Sequence, residues 1–253
     1  MQQPAMTSSD LDSFLSPRSI AVVGASATPG KIGAVPLHYL TQHGYAGELY
    51  AVNPQRAQVQ GVRAYPDLQS IGRPVDLAIL AIPANQADAA LDDAVAAGVK
   101  NIVMFSAGFA EVGAAGAQAQ QRLVARARAG GIRVLGPNCL GFMNIRQAAY
   151  ATFSPVLATG LAKPGPVGIV SQSGAFAAYA YGMARARNVG LSAWVATGNE
   201  ADIQVADCMA WMARDQATRV IMAYLEGCTD GGKLKAALAL AREAGKPVVV
   251  VKV

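Results

Sequence analysis

A glycine-rich turn near the N-terminus carries residue types suited to binding an anion. Residues 24–33 read GASATPGKIG and join an apolar run to a segment with helical periodicity. Glycines let the backbone approach a phosphate closely, and a helix N-terminus directs its N–H groups at the anion. The spacing departs from GxGxxG, and the same glycines would also serve simply to shape a tight turn. Ser26, Thr28 and Lys31 add donors, which favours nucleotide or coenzyme A binding.

The end of the second apolar run indicates which nucleotide is expected. Residues 50–56 read YAVNPQR, with Asn53 and Arg56 where an NAD site would carry an acidic residue that binds the ribose hydroxyls. A cation there offsets the charge of a phosphorylated ribose. Coenzyme A and NADP both carry such a phosphate, so the sequence disfavours NAD and leaves these two open.

Three later loops belong to the same edge, because open α/β sheets bind ligands at the carboxyl ends of their strands. They read AIP at 81–83, FSAGF at 105–109 and LGPNC at 135–139. The loop at 106–108 offers backbone and hydroxyl contacts to a pantetheine chain. Cys139 would need an activating base and an electropositive surrounding to react, so a structural role is favoured.

The elements that position these loops alternate between apolar runs and helical segments. Runs rich in Val, Ile and Leu without polar alternation are typical of parallel strands covered on both faces. They lie at 20–24, 49–52, 77–82, 102–105 and 133–135, with Ala-rich helical segments at 85–97 and 114–129. This repetition predicts an α/β fold with a doubly wound sheet.

A second series of elements follows a segment rich in proline and glycine. Residues 148–165 lack clear periodicity and are predicted to be a linker. Beyond it we expect strands at 167–170, 191–196, 220–225 and 248–253, and helices at 175–187, 203–214 and 232–244. The sequence therefore predicts a second, smaller α/β domain, whose last strand coincides with the end of the chain.

Composition excludes several classes of protein. The 253 residues are 53% hydrophobic and 15% charged, and the net charge of +5 is spread along the chain. A nucleic-acid-binding protein would more often gather its basic residues on one face. Three distant cysteines form no CxxC pair, which argues against a zinc site or a disulfide framework. No apolar run approaches the roughly 20 residues of a membrane span, and the N-terminus lacks a signal-peptide pattern, so we expect a cytoplasmic protein.

Taken together, these segments resemble the NDP-forming acyl-CoA synthetases and, more distantly, the succinyl-CoA synthetase α subunit. The resemblance runs from about residue 16 to 253 and is carried by SIAVVGAS, PGKIG, YAVNP, VDLAILAIP, FSAGFAE, LGPNCLG, VGIVSQSGA and GNEADI. It implies an N-terminal tail at 1–15 and a Rossmann-like CoA-binding domain at 16–147. Parallel sheets are implied for this domain and for the one that follows it. After the linker at 148–165, it implies a flavodoxin-like ligase domain at 166–253, which we expect to be truncated at its C-terminal end.

The resemblance also implies a division of the site residues. For coenzyme A the implied contacts are Gly24, Ser26, Thr28, Gly30, Lys31, Ile32, Gly33, Asn53, Pro54, Arg56, Pro83, Ser106, Ala107, Gly108 and Asn138. For phosphate they are Ser171, Gln172, Ser173, Gly174 and Ala175, where a turn that opens a helix offers backbone donors. Ser173 would equally serve as a simple N-cap. Glu226 matches a carboxylate that steadies a phosphohistidine by accepting the other N–H of the ring, although an exposed strand-end glutamate is an equal interpretation.

In the family, an acid, coenzyme A and ATP give acyl-CoA through an acyl phosphate and a phosphorylated histidine. The histidine loop is expected just after the last strand, and this chain ends before it. The histidines present, His38 and His43, belong to the first domain. Binding of ATP or ADP and Mg is expected from missing domains, namely an ATP-grasp domain or subunit. Ala178 replaces a substrate-side tyrosine of the succinyl enzyme, which makes succinate doubtful.

Two other functions stay open from the sequence alone. The chain resembles, in its CoA-binding part, the regulatory modules of protein lysine acetyltransferases that sense a ligand. An NADP-dependent oxidoreductase is least favoured, because no Tyr-x-x-x-Lys arrangement is found. The acid itself is undetermined among acetate, an aryl-acrylic acid such as ferulate, and a branched acid. An exposed edge strand would favour homo-oligomers.

Overall fold

The computed structural model describes residues 11–253, which form two mostly parallel β-sheets with helices packed on them. This arrangement confirms the predicted fold class, a Rossmann-like domain followed by a flavodoxin-like domain. Among residues 11–253, no helix combines the length and the apolar character needed to cross a membrane.

The first sheet contains seven strands. They are β1 (Ser19–Val23), β2 (Glu48–Val52), β3 (Gln58–Val59), β4 (Val62–Tyr65), β5 (Leu77–Leu80), β6 (Asn101–Met104) and β7 (Arg133–Leu135), in the order β3-β4-β2-β1-β5-β6-β7. The helices of this part are α1 (Asp12–Leu15), α2 (Val35–Gln42), α3 (Ala87–Ala96) and α4 (Ala114–Ala129). Pairing is parallel throughout except between β3 and β4.

The central strands of this sheet lie where the apolar runs predicted them. Every residue of β1, β5 and β6 is buried, because helices cover both faces of the sheet. One face packs on α3 and α4 through residues such as Leu91 and Leu123, and the opposite face joins a larger core shared with the second sheet. All parallel strands of a sheet end at the same edge, so the loops after them form one continuous rim.

The second sheet contains six strands. They are β8 (Gly141–Asn144), β9 (Ala149–Thr152), β10 (Pro164–Ser171), β11 (Leu191–Ala196), β12 (Val220–Leu225) and β13 (Val248–Lys252), in the order β13-β12-β10-β11-β8-β9. The helices are α5 (Gly174–Ala186), α6 (Val205–Arg214) and α7 (Gly231–Glu243). Helix α5 covers one face, where the Trp194 indole donates to the Ala177 carbonyl at 2.7 Å, and α6 and α7 cover the other.

The segment predicted as a linker differs from that prediction. Strands β8 and β9 form an antiparallel hairpin that pairs with β11, so residues 141–152 belong to the second sheet. Strand β10 also begins at Pro164, inside the predicted linker. Each hairpin strand is only four residues long and the turn is made by Ala148 at φ +52°, so neither periodicity nor a glycine turn signals it.

The N-terminal tail predicted at 1–15 also differs where it can be compared, since residues 1–10 lie outside the described part. Residues 11–15 contain the short helix α1, and Phe14 is buried against Phe142 of β8 with ring centroids 5.9 Å apart. The Trp211 indole donates to the Asp12 carboxylate at 2.8 Å. Helix α1 therefore packs across both sheets instead of extending into solvent.

The two sheets are joined by main-chain hydrogen bonds along the outer edge of β7. The N–H groups of Asn199, Ala201 and Ile203 donate to carbonyls of residues 137, 136 and 134 at 3.0–3.1 Å. Between them, the buried Asp202 accepts from the Val134 N–H at 3.0 Å and from the Arg133 guanidinium at 2.8 Å. We call residues 199–203 the crossing segment, because it follows a strand of the second sheet and pairs with the first.

Candidate functional site

The glycine-rich turn at 24–33 folds back closely on its own backbone. A Cβ on Gly33 would lie 1.9 Å from the Gly24 carbonyl oxygen, and a Cβ on Gly24 would lie 2.5 Å from the Ala81 oxygen. Gly24 also has φ +82°, in the left-handed region. The Ser26 N–H donates to the Gly33 carbonyl at 3.3 Å and closes the turn. Glycine is therefore required at both ends by close approach of the backbone.

The outer part of this turn is open to a ligand. Thr28, Gly30, Lys31 and Ile32 are exposed, and the Ser26 hydroxyl oxygen accepts from the Thr28 N–H at 3.1 Å. The Lys31 ammonium makes no ion pair with any residue from 11 to 253. The turn thus presents a cation and exposed backbone, with no counter-ion among the described residues.

Gln60 holds the two ends of this turn, and sequence reasoning missed it. Its side-chain NH2 donates to the Ser26 carbonyl at 2.8 Å and to the Ala34 carbonyl at 2.9 Å. Gln60 lies in the turn between β3 and β4 with φ +50°, which is unusual for a residue other than glycine. No sequence signal marks Gln60, because its partners are distant in the chain. Ser26 is 34 positions away and Ala34 is 26 positions away.

Asn53 makes hydrogen bonds that join two loops of the rim. Its amide donates to the Ala25 carbonyl at 2.8 Å, and its oxygen accepts from the Gln55 N–H at 2.9 Å. Asn53 therefore fixes the turn after β2 against the glycine-rich turn. Pro54 and Arg56 are exposed beside it, and Arg56 has no ion-pair partner within the described residues.

The loop at 106–108 uses most of its polar groups internally. The Ser106 hydroxyl is nearly buried and donates to the Ile82 carbonyl at 2.6 Å, beside the exposed Pro83. The Gly108 N–H donates to the Glu111 carboxylate at 2.5 Å, leaving Ala107 and Gly108 exposed. The Ser106 carbonyl accepts from the Asn138 N–H at 2.9 Å, whereas the Ala107 N–H and carbonyl make no hydrogen bond within residues 11–253 and are available to a ligand.

Glu111 connects this loop to the second sheet. Its carboxylate also accepts from the Phe109 N–H at 3.2 Å and from the Asn199 amide at 2.5 Å. Burial alone would raise the pKa of the Glu111 carboxyl, but the hydrogen bonds from Asn199 and from the two N–H groups together lower it. Glu111 is thus held as a carboxylate at the junction of the two domains.

Asn138 lies at the same junction. It is exposed with φ +54°, and its amide donates to the Asn199 side-chain oxygen at 3.2 Å. Its neighbour Cys139 is buried, and burial raises the pKa of its thiol to about 12. The structural role favoured for Cys139 fits this environment, because a thiol in an apolar core is unreactive.

The turn at 171–175 is built as the N-terminus of α5. The buried Ser171 hydroxyl donates to the Ser173 carbonyl at 2.7 Å, and the Ser173 hydroxyl accepts from the Phe176 N–H at 3.2 Å. Ser173 is therefore an N-cap. The N–H groups of Gly174 and Ala175 make no hydrogen bond within residues 11–253, so they remain available at the positive end of the helix dipole.

Both ends of the Gln172 side-chain amide are hydrogen-bonded to other protein groups. Its oxygen accepts from the Glu226 and Gly227 N–H groups at 2.5 and 3.0 Å. Its nitrogen donates to the Gly227 carbonyl at 2.9 Å and to the Glu200 carboxylate at 2.8 Å. The exposed Glu226, after β12, is consequently tied through its backbone to the turn before α5.

The two groups of predicted site residues meet at the start of the crossing segment. Asn199 contacts Asn138 and Glu111 at the rim of the first sheet, and the adjacent Glu200 contacts Gln172 at the rim of the second. Neither Asn199 nor Glu200 was singled out as a site residue, although both lie in the GNEADI string. The structure describes no cluster of three or more metal-ligating side chains between residues 11 and 253.

Comparison with protein families gives two matches. Residues 18–145 match the CoA binding domain, and residues 164–253 match the succinyl-CoA ligase like flavodoxin domain. Together these cover the first sheet and all of the second sheet except β9.

Comparison with individual proteins agrees. The chain is 36% identical over 248 residues to the acetate–CoA ligase (ADP-forming) I subunit alpha of Pyrococcus furiosus, which covers 96% of this chain and 52% of that one. It is 35% identical over 254 residues to a trans-feruloyl-CoA synthase of an unknown prokaryotic organism, covering 99% of this chain and 36% of the relative. Neither relative is an acetyltransferase.

Among solved structures, one neighbour is the acetyl-coenzyme A synthetase 1 of Ca. Korarchaeum cryptofilum in complex with phosphate and ADP. It superposes with a TM-score of 0.88 at 36% identity, over 96% of this chain and 51% of that one. The chain spans about half the length of this neighbour and of the Pyrococcus furiosus relative. The chain belongs to the NDP-forming acyl-CoA synthetase family, of which it carries the CoA-binding domain and a succinyl-CoA-ligase-like flavodoxin domain.

Proposed function

We propose that this chain is the CoA-binding part of an acid–CoA ligase that converts a small carboxylic acid, coenzyme A and ATP into acyl-CoA, ADP and phosphate. The observation that carries the proposal is that the rim loop at Asn138 and the turn at 171–175 are joined through the adjacent residues Asn199 and Glu200. A ligase of this kind needs a thiol carrier and a phosphate held in one place, because the thiol must displace phosphate from an acyl phosphate.

Coenzyme A is proposed to bind along the rim of the first sheet. The turn at 24–33 would receive phosphate groups on its backbone, because its outer residues 28–32 are exposed. Lys31 and Arg56 would neutralise phosphate charge, since both are exposed cations without an ion-pair partner among the described residues. The pantetheine chain would then follow the exposed residues Pro83, Ala107 and Gly108 toward Asn138.

The phosphate that is exchanged is proposed to bind at the N-terminus of α5. The N–H groups of Gly174 and Ala175 would donate to it, with the helix dipole adding a favourable field. The Glu226 carboxylate is proposed to steady a phosphorylated histidine by accepting the N–H of its ring. That histidine, together with an ATP-grasp domain or subunit that binds ATP, ADP and Mg, would come from outside these 253 residues.

The first experiment is a calorimetric titration of the purified chain with coenzyme A, dephospho-coenzyme A, NAD and NADP. We expect a dissociation constant for coenzyme A in the micromolar range, about −8 kcal/mol, and roughly tenfold weaker binding without the 3′-phosphate. The variant Arg56→Met should weaken coenzyme A by about tenfold and bind both forms alike.

A matched control is Arg122→Met. Arg122 is an exposed arginine on α4 and is not among the proposed coenzyme A contacts. It should leave the preference for the 3′-phosphate unchanged. Binding of NADP without any response to coenzyme A would overturn the proposed function. Equal weakening by both variants would instead mean that Arg56 contributes only through net charge.

A further inference from the structure

Gln172 has no hydrogen-bonding capacity left for a phosphate ion. A side-chain amide offers two N–H donors and two acceptor lone pairs. All four are engaged, by Glu226, Gly227 and Glu200, at distances between 2.5 and 3.0 Å. The side chain therefore acts on other parts of the site.

Glu200 fixes the direction in which this amide points. One carboxylate oxygen accepts from the Val205 N–H at 2.6 Å and the Thr197 hydroxyl at 3.0 Å, and the other accepts from the Gln172 nitrogen. With its nitrogen held by Glu200, the amide must turn its oxygen toward residues 226 and 227. Glu200 has φ +54°, a strained conformation that persists only where surrounding contacts determine it.

The turn that carries Glu226 has little else to hold it. Residues 226–230 are all exposed, and the Glu226 carboxylate makes no ion pair with another described side chain. Besides Gln172, the Lys252 ammonium bonds the Glu226 carbonyl at 3.2 Å. An exposed turn would satisfy its N–H groups with water at little cost, so its direction depends on the Gln172 clamp.

We propose that Gln172 and Glu200 are positioning residues that hold Glu226 at a fixed place relative to the N-terminus of α5. This inference rests on the proposed function and deepens it, because it assigns Gln172 to the carboxylate side of the site and not to phosphate. The chemistry it serves is orientation: a carboxylate that steadies a phosphorylated imidazole must approach its N–H along one direction.

The test uses amide hydrogen exchange by NMR in the 253-residue chain, with inorganic phosphate as the probe ligand. In Gln172→Met, which keeps the length of the side chain, exchange at Glu226 and Gly227 should accelerate about tenfold. The phosphate dissociation constant, followed at the Gly174 and Ala175 amides, should stay within about twofold, since Gln172 donates nothing to phosphate. The control Gln118→Met, on the exposed face of α4, should change neither quantity.

A reciprocal exchange of residues tests the pairing itself. Gln172→Glu places two carboxylates face to face and should release the turn. Adding Glu200→Gln restores a donor between positions 172 and 200, and the carboxylate introduced at position 172 still accepts from the N–H groups of residues 226 and 227. Amide exchange at these two residues should therefore return to within about threefold of the rate in the unsubstituted chain.

Three results in the Gln172→Met variant would overturn the proposal. The first is unchanged exchange at Glu226 and Gly227 in Gln172→Met. The second is faster exchange spread evenly through the second domain, which would make the residue a general contributor to stability. The third is loss of phosphate binding by more than about tenfold in the same variant, which would identify Gln172 as a direct ligand. A chain that binds coenzyme A but never responds to phosphate would overturn this inference and leave the CoA part of the proposed function standing.

Discussion

Replacing Asp202 should weaken the connection between the two sheets more than any surface charge replacement in the chain. The Asp202 side chain is 6% exposed, and it accepts from the Val134 N–H and from two guanidinium groups, those of Arg133 and Arg128. The Asp202→Ala variant therefore leaves a buried N–H without its acceptor. It also leaves Arg133, 17% exposed, without its nearest counter-charge.

The magnitude follows from these contacts. Breaking a buried ion pair by removing one partner costs roughly 3–5 kcal/mol. The lower end applies here, because Arg128 is 55% exposed and can turn to solvent. We therefore expect about 3 kcal/mol, which for a chain of this length corresponds to a fall in Tm of roughly 6–12 °C. Asp202→Asn keeps an acceptor for Val134 and should cost about half as much.

Urea unfolding measured by two probes tests this expectation. Both tryptophans, Trp194 and Trp211, lie in the second domain, so fluorescence follows that domain while circular dichroism follows both. In Asp202→Ala the two transitions should also separate, because the domains lose part of their coupling. The control is Asp88→Asn, whose pair with Arg126 is solvent-exposed and should matter little. An Asp202→Ala variant that unfolds with the same midpoint as the control would refute the reasoning.

Three further expectations concern the rim of the first sheet. Gln60→Met should weaken coenzyme A about fivefold to tenfold by releasing both ends of the glycine-rich turn, whereas Gln118→Met on the exposed face of α4 should not, and calorimetry compares them. Gly33→Ala should abolish CoA binding and lower Tm, because its Cβ would lie 1.9 Å from a backbone oxygen. Burial raises the pKa of the Cys139 thiol to about 12, so its thiolate forms only in strong alkali. Thiol labelling at pH 8 should therefore modify the exposed Cys228 and spare Cys139. Early labelling of Cys139 would contradict this expectation.

The sequence predicts the parallel strands and the rim loops well, because both depend on local signals. Continuous apolar runs mark strands such as β5, whose residues are all buried, and glycines mark the turn at 24–33. The hairpin of β8 and β9 was missed, since each strand is four residues long and the proline-rich stretch after it suggested a linker.

The contacts that complete the site could not be predicted, since they join residues far apart in the chain. Gln60 is 34 residues from Ser26, and Gln172 is 54 residues from Glu226. A glutamine in a polar turn carries no periodicity and no motif that would indicate its partner. Asn53 and Ser106 follow strands β2 and β6, and their polar atoms fix neighbouring loops, which only the three-dimensional arrangement reveals.

The pairing of residues 199–203 with β7 bears on how far the two halves of the chain can act as interchangeable modules. Strand β7 is the last strand of its sheet, and the carbonyl of Val134 on its free side, with those of residues 136 and 137 just after it, accepts hydrogen bonds from the other half. If the first half were excised or recombined with an unrelated partner, it would expose an open strand edge, which is a template for aggregation. Evolution of this architecture by domain shuffling is thus constrained, because any new neighbour must supply a comparable extended segment and an acidic residue at the place of Asp202.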